Sequence, residues 1–457
     1  MNGPRLMRGI GANLLSIATR IVVQFATLPL FFAHWRAEQV GVWLLIFALP
    51  AYVAIIGTGF AGAGGSASVA AARRGDLADA RARFAAAWAV TAAGTAIFAG
   101  IFFLAGEQLS AAWLAADMTP AARQDVSSAL GWLALYILAS SQMAMADIPF
   151  RVAERYPTHI VLASFATLAE VAIVAVVVAL SEALADLAMA LALARCVLAA
   201  VILVYARKAC PQLFARANEW AGRHIRSLAK PSLAFMAMPI VFGINLQGYL
   251  LLVGARYGAA SAAAFAATRA LTRLLDLFAN LTFGVQYYES GYLDGDRRCV
   301  QRRLLATMTL AAGIVSLSFS ALLLAFGSWL QTLYTVGETR FDPLVAGILL
   351  CAAGLRAFAS APVAIIAAEN RHAPVVSTYL AGTVASLCLA LALSMAGAPL
   401  AICLIGLVFA EASQLVAAMR AALRDLDLSA AQFLRSLRSR ERVADFAVML
   451  HLLQRNR

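Results

Sequence analysis

The chain has 457 residues; 62% are hydrophobic, 13% are charged, and the formal net charge is +12. That composition excludes an ordinary water-soluble domain and a disordered chain, because so much apolar surface needs a bilayer as solvent. The six cysteines (Cys196, Cys210, Cys299, Cys351, Cys388 and Cys403) form no C-x-x-C pair, and the five histidines have no metal-ligand spacing, so neither a disulfide framework nor a metal site is expected.

A spanning helix needs roughly 20 mostly apolar residues to cross the hydrocarbon. About twelve such stretches are predicted in chain order, near residues 10–33, 40–62, 84–106, 128–148, 159–180, 186–206, 232–254, 261–288, 304–327, 344–368, 375–395 and 400–420. The period-2 alternation of a membrane β-barrel is absent from the sequence. The predicted fold is therefore all-α and integral to the membrane, with six helices on each side of a central connection. Residues 1–206 form a first lobe, 207–230 a connection, 231–420 a second lobe, and 421–457 a tail. The tail interleaves Leu426, Phe433, Leu434, Leu437, Phe446, Leu450 and Leu453 with Arg and acid, the pattern of an amphipathic helix on a membrane surface.

Arginine sets the orientation, since Lys and Arg of short loops stay in the cytoplasm. With the amino end inside, Arg73, Arg74, Arg81, Arg83, Arg151, Arg155, Arg207, Lys208, Arg297, Arg298, Arg302, Arg303 and Arg371 all fall on the inner side. The outer loops hold only Arg36, Arg123, Arg256 and Arg340. Both termini are thus expected in the cytoplasm, and the first apolar run reads as an uncleaved helix rather than a signal peptide. The charge is spread over every inner loop, so no nucleic-acid groove is indicated. A single cysteine placed at Arg123 should react with an impermeant thiol reagent from outside intact cells, and one at Asp79 should not. The reverse pattern would invert the topology.

Catalytic motifs are weak. No phosphate loop of the G-x-x-x-x-G-K-[ST] kind occurs. Gly57, Gly59 and Gly62 match G-x-G-x-x-G but end a membrane helix and follow no strand. Asp294 and Asp296 form a D-x-D in a short basic loop, which reads as a solvated turn. No catalytic residue and no cofactor is expected.

Charges inside the spans carry more information, because each costs about 2.5–3.5 kcal/mol at the bilayer centre on insertion scales. Five arginines (Arg20, Arg195, Arg269, Arg273 and Arg356) and three acids (Glu170, Asp276 and Glu411) lie at depth. In the first helix Asn13, Ser16, Arg20, Gln24 and Thr27 share one face; in the eighth, Arg269, Arg273, Asp276 and Asn280 do so. Asp276 is placed to pair with Arg273 at i,i+3, leaving Arg269 the freer cation. The seventh helix adds Asn245 and Gln247, with Pro239 before them, and Pro29 is expected to interrupt the first. Glu170 with Arg195, and Glu411 with Arg356, are either structural pairs or part of a transport path. The excess of arginine favours an anionic cargo, with Arg20, Arg269, Arg273, Gln24 and Asn245 as candidate ligands. Glu170, Asp276 and Arg356 are candidates for ion coupling or charge balance.

The stretches GIGANLLSIATRIVVQFATLPLFF and VGVWLLIFALPAYVAIIGTGFAGAG resemble the start of bacterial polysaccharide flippases of the Wzx type, as does LAFMAMPIVFGINLQGYLLLVGARYGAASAAAFAATRALTRLL followed by YESGYLDGD. These proteins belong to the multidrug/oligosaccharidyl-lipid/polysaccharide exporter superfamily. The resemblance implies two six-helix bundles around a central cavity lined by the first, second, seventh and eighth helices. It implies an undecaprenyl-pyrophosphate-linked oligosaccharide as cargo, flipped from inner to outer leaflet of a bacterial inner membrane by alternating access. Many relatives end the second helix with Asp-Leu-Gly; here Gly57-Thr58-Gly59 stands instead, so the resemblance transfers no ion-coupling acid to that position. A cation-coupled drug exporter of the same superfamily is the alternative transporter, and a membrane glycosyltransferase or polymerase the alternative from another class.

Overall fold

The computed structural model describes residues 3–113, 119–215, 224–228, 240–241, 243–292, 297–368, 371 and 373–439. Pro239, the D-x-D and the tail beyond 439 lie outside the described residues, as does the side chain of Asn13.

The described residues are helical throughout, without a strand. In chain order they form α1 (Gly3–Phe32), α2 (Ala37–Arg73), α3 (Leu77–Trp113), α4 (Pro120–Met145), the short α5 (Asp147–Val152), α6 (Tyr156–Leu180) and α7 (Leu184–Ala209). After the connection come α8 (Tyr249–Tyr257), α9 (Ala259–Thr272), α10 (Leu274–Tyr292), α11 (Arg297–Tyr334), α12 (Pro343–Ala368), α13 (Ala373–Met395), α14 (Leu400–Asp425) and α15 (Ala430–Leu437). Eight of them are long and apolar enough to cross a bilayer. Their lipid-compatible faces are plain: Leu104, Leu180, Leu317 and Met395 are exposed, as only a bilayer would tolerate in such number.

Three local features differ from the sequence reading. Pro29 lies inside α1, which continues to Phe32. A proline near a helix end removes one hydrogen bond and leaves little helix beyond it to deflect. The seventh stretch is locally underwound into a π-turn at Ile244–Gly248, which holds Asn245 and Gln247. The eighth is two helices, α9 and α10, separated at Arg273.

The chain divides into two compact units. Unit 1 comprises Met1–Ala264 with Tyr334–Thr339; unit 2 comprises Phe265–Leu333 with Arg340–Arg457. Helix α9 runs across this division. In unit 1, Tyr334 donates to the Gln24 backbone oxygen at 2.8 Å and its ring meets Phe25 edge-on, which fixes the returning segment against α1. Helix α2 meets the Gly258 turn closely: a Cβ on Gly41 would lie 1.8 Å from the Ala259 carbonyl oxygen. Small residues let backbones approach in this way where lipid supplies no hydrophobic drive.

In unit 2, α15 is a docked element rather than only a surface helix. A capping box joins Ser429 and Gln432 at its start. Phe433 is buried against Leu305, Ile365, Val375, Ala422 and Leu426. Arg298 pairs with Asp427, Arg302 donates to the Leu426 oxygen at 2.8 Å, and Arg371 meets Asp425 at 2.9 Å. These arginines, counted above only for orientation, staple the end of α14.

Candidate functional site: two buried charge networks

In unit 1 the last three spanning helices are α4, α6 and α7, and α7 packs against both of the others. Each supplies one polar side chain to a common point. Arg195 of α7 meets the Glu170 carboxylate of α6 at 2.5 Å and donates to the Tyr136 hydroxyl of α4 at 2.6 Å. Tyr136 in turn donates to Glu170 at 3.4 Å, and the guanidinium lies 4.8 Å from the Tyr136 ring centre. Arg195 and Glu170 are 14% and 12% exposed. A charge so deep in a helix bundle persists only when a counter-charge and hydrogen bonds replace its water.

Unit 2 repeats this on its last three spanning helices, α12, α13 and α14, with α14 again packed on both partners. Arg356 of α12 donates to Glu411 of α14 through both Nε, at 3.1 Å, and Nη2. Tyr379 of α13 donates to the same carboxylate at 2.9 Å. Tyrosine, glutamate and arginine thus recur on the same three helices with their places rotated: Tyr–Glu–Arg in unit 1 becomes Arg–Tyr–Glu in unit 2. Glu411 is fully buried.

Unit 2 also carries a fourth member. Arg356 Nη1 reaches both oxygens of Asp276 on α10, at 3.0 and 3.2 Å. Arg273, at the α9–α10 break, meets Asp276 at 3.4 Å. The expected i,i+3 pair therefore exists, but the shorter contact of Asp276 is with Arg356, whose Nη1 is shared between the two carboxylate oxygens. One guanidinium spans two carboxylates from different helices. Arg269 lies one turn before Arg273 and sits over the Phe265 ring at 5.4 Å.

The remaining candidates fall in both units. Arg20 is exposed on α1 and donates to Ser16 at 3.4 Å; Gln24 is half-buried one turn further on. Both belong to unit 1, as does the buried Asn245 of the π-turn. Arg269 and Arg273 belong to unit 2. The arginine excess is smaller than the sequence count suggests. Arg195 is paired with Glu170, and Arg356 with Glu411 and Asp276, the last of which Arg273 also meets.

Sequence reasoning found the two Glu–Arg pairs from their equal depth on neighbouring spans. It missed both tyrosines, because a hydroxyl inside an aromatic residue leaves no mark on hydropathy. It also missed the Asp276–Arg356 contact, which joins residues far apart in sequence.

No protein-family model and no curated protein matches this sequence. Solved structures do. An inward-facing multidrug resistance MATE family transporter of the MOP superfamily superposes with a TM-score of 0.70 over 91% of this chain and 98% of its own, at 11% identity. The eukaryotic MATE transporter AtDTX14 gives 0.63 over 95% and 98%, at 13% identity. A MATE protein in complex with MaL6 gives 0.59 over 93% and 96%, also at 13%. The fold is that of the MATE transporters, an all-α membrane architecture of about twelve spanning helices in two bundles.

Proposed function

We propose that this chain is a membrane transporter of the MOP superfamily, working by alternating access as an ion-coupled exporter of organic molecules. The observation that carries the reading is the MATE fold, shared along 91% of the chain. Transport also suits the site chemistry, because the charges at depth in spanning helices are paired with one another.

The coupling device in this reading is the unit 2 network. Asp276 is faced by Arg356 and Arg273, with Glu411, Tyr379 and Arg269 around them. A proton arriving on Asp276 removes one of the two carboxylates that hold Arg356. The guanidinium then keeps Glu411 as its carboxylate partner, and the charge tie between α10 and α12 is weakened. That is a two-state element biased by one proton, which is what coupling requires.

A second reading is favoured by arginine chemistry: Arg269 and Arg273, one turn apart in unit 2, and Arg20 of unit 1 are groups of the kind that bind a pyrophosphate head by paired hydrogen bonds. Gln24 and Asn245 would then serve a glycan. The cargo would be a lipid-linked oligosaccharide flipped across a bacterial inner membrane, with both termini of the protein in the cytoplasm.

Proteoliposomes separate the two. A pH or sodium gradient across the vesicle should drive accumulation of a cationic dye in the wild type. Asp276→Asn should lower the rate by about tenfold or more at equal protein level, the loss typical of a displaced proton-transfer group. Wild-type vesicles that move no dye, together with lipid-linked glycans accumulating on the inner leaflet of a deletion strain, would replace the first reading by the second. In that case Arg20→Ala and Arg269→Ala should each stop glycan export.

A further inference from the structure

We infer that unit 1 carries a separate binding site for an organic phosphate or diphosphate, at the end where α2, α5 and α7 terminate. A cavity of about 460 Å³ opens there, walled by the last turns of α2, the α5–α6 turn and the segment after α7. That volume lies within the roughly 300–1,000 Å³ of small-molecule sites and exceeds what a bare phosphate needs. The arginine distribution assigns this end to the cytoplasm.

Three guanidinium groups line the cavity: Arg73, Arg151 and Arg155. Gln212 lines it too, and Glu154 is the acid among the lining residues. Arg151 is held in place by two features. Its Nη1 lies 2.8 Å from where a Cβ on Gly65 would stand, so the bare glycine lets the guanidinium press against α2. Its partner Asp147 is 3.5 Å away. Arg73 and Arg155 are exposed and make no ion pair among the described residues.

The turn that presents these residues is built against local preference. Glu154 sits at φ 60°, in the left-handed region, where a helix end normally uses glycine. The Arg155 amide closes back on the Phe150 oxygen at 2.7 Å, and α6 starts at Tyr156 without a side-chain cap. Strain of this kind gathers at functional turns. Guanidinium meets phosphate by paired, charge-assisted hydrogen bonds, so three around one concavity favour a multiply charged anion. The site uses none of the Tyr136, Glu170 and Arg195 groups, and it does not depend on which cargo the transporter carries.

The test uses the full-length protein in phosphatidylcholine nanodiscs, titrated calorimetrically with ADP and with inorganic pyrophosphate. Saturable binding is expected, weakened about tenfold or more in the Arg73→Gln/Arg155→Gln double variant, the loss expected for removing charge-assisted contacts. Glu154→Gln should tighten it, by removing the acid from the lining. Discs containing phosphatidylglycerol identify the source: loss of probe binding there means that a lipid headgroup fills the site, and unchanged binding means a soluble phosphate ligand. Absence of saturable binding of both probes in phosphatidylcholine discs overturns the site, as does binding that the double variant leaves intact. If the double variant does not fold, Glu154→Gln decides, and an unchanged affinity overturns the inference.

Discussion

Arg356→Ala is expected to destabilise the protein by roughly 3–5 kcal/mol, the loss seen when one partner of a buried ion pair is removed. The reason lies in what is left behind. Glu411 is fully buried and would keep only the Tyr379 hydroxyl among the partners named above, while Asp276 would keep Arg273 at 3.4 Å. Two carboxylates formerly bridged by one guanidinium would then face each other across the space it vacates. The comparable change in unit 1, Arg195→Ala, should cost less, because Arg195 serves one carboxylate and Glu170 is 12% exposed. Denaturant melts in detergent measure both. A loss below about 1 kcal/mol for Arg356→Ala would match a solvated surface pair instead and would remove the basis for treating the network as a buried switch. The triple variant Arg356→Met/Glu411→Gln/Asp276→Asn should recover most of the stability, since replacing a buried ion pair with neutral groups of similar volume is often neutral.

Gly41→Val should be the most damaging single change outside the charge networks. The added Cβ would stand 1.8 Å from the Ala259 carbonyl oxygen and 2.4 Å from its carbon. Both are backbone atoms, so no side chain can turn aside; the α2 backbone must retreat from the start of α9. Overpacking of this sort costs about 1–3 kcal/mol and sometimes more. Replacing a helical glycine gains at most about 1 kcal/mol from propensity, so the clash wins. Gly100→Ala is the control, because a Cβ on Gly100 meets nothing within 4 Å. It should be neutral or slightly stabilising. Equal melting temperatures for Gly41→Val and Gly100→Ala would show that the approach of α2 to Ala259 is not close.

The sequence made the helices legible because a bilayer forces a simple rule on it: every apolar run must be long enough to cross and must bond its own backbone. Helices α6, α7, α13 and α14 accordingly begin and end close to the predicted limits. The irregular stretches were illegible for the opposite reason. The π-turn at Ile244–Gly248 and the break at Arg273 preserve the apolar pattern and change only the backbone winding, which composition does not report. The roles of most arginines were also illegible from position alone. Arg298, Arg302 and Arg371 anchor the end of α14, Arg195 and Arg356 are neutralised at depth, and Arg73, Arg151 and Arg155 border a cavity. One residue type serves three purposes there, and only the partners distinguish them.

The rotated order of tyrosine, glutamate and arginine hides the likeness of the two triplets from any comparison by residue identity. A self-comparison scores like residues at like positions, and at Tyr136/Arg356, Glu170/Tyr379 and Arg195/Glu411 it would record three mismatches. Electrostatically the two triplets are alike, each with one cation and one hydroxyl on a single carboxylate among three helices. What the halves share at this point is a sum, and a sum survives any permutation of its terms. The likeness of the two triplets is therefore invisible letter by letter in the text of the chain while its charge arithmetic stays intact.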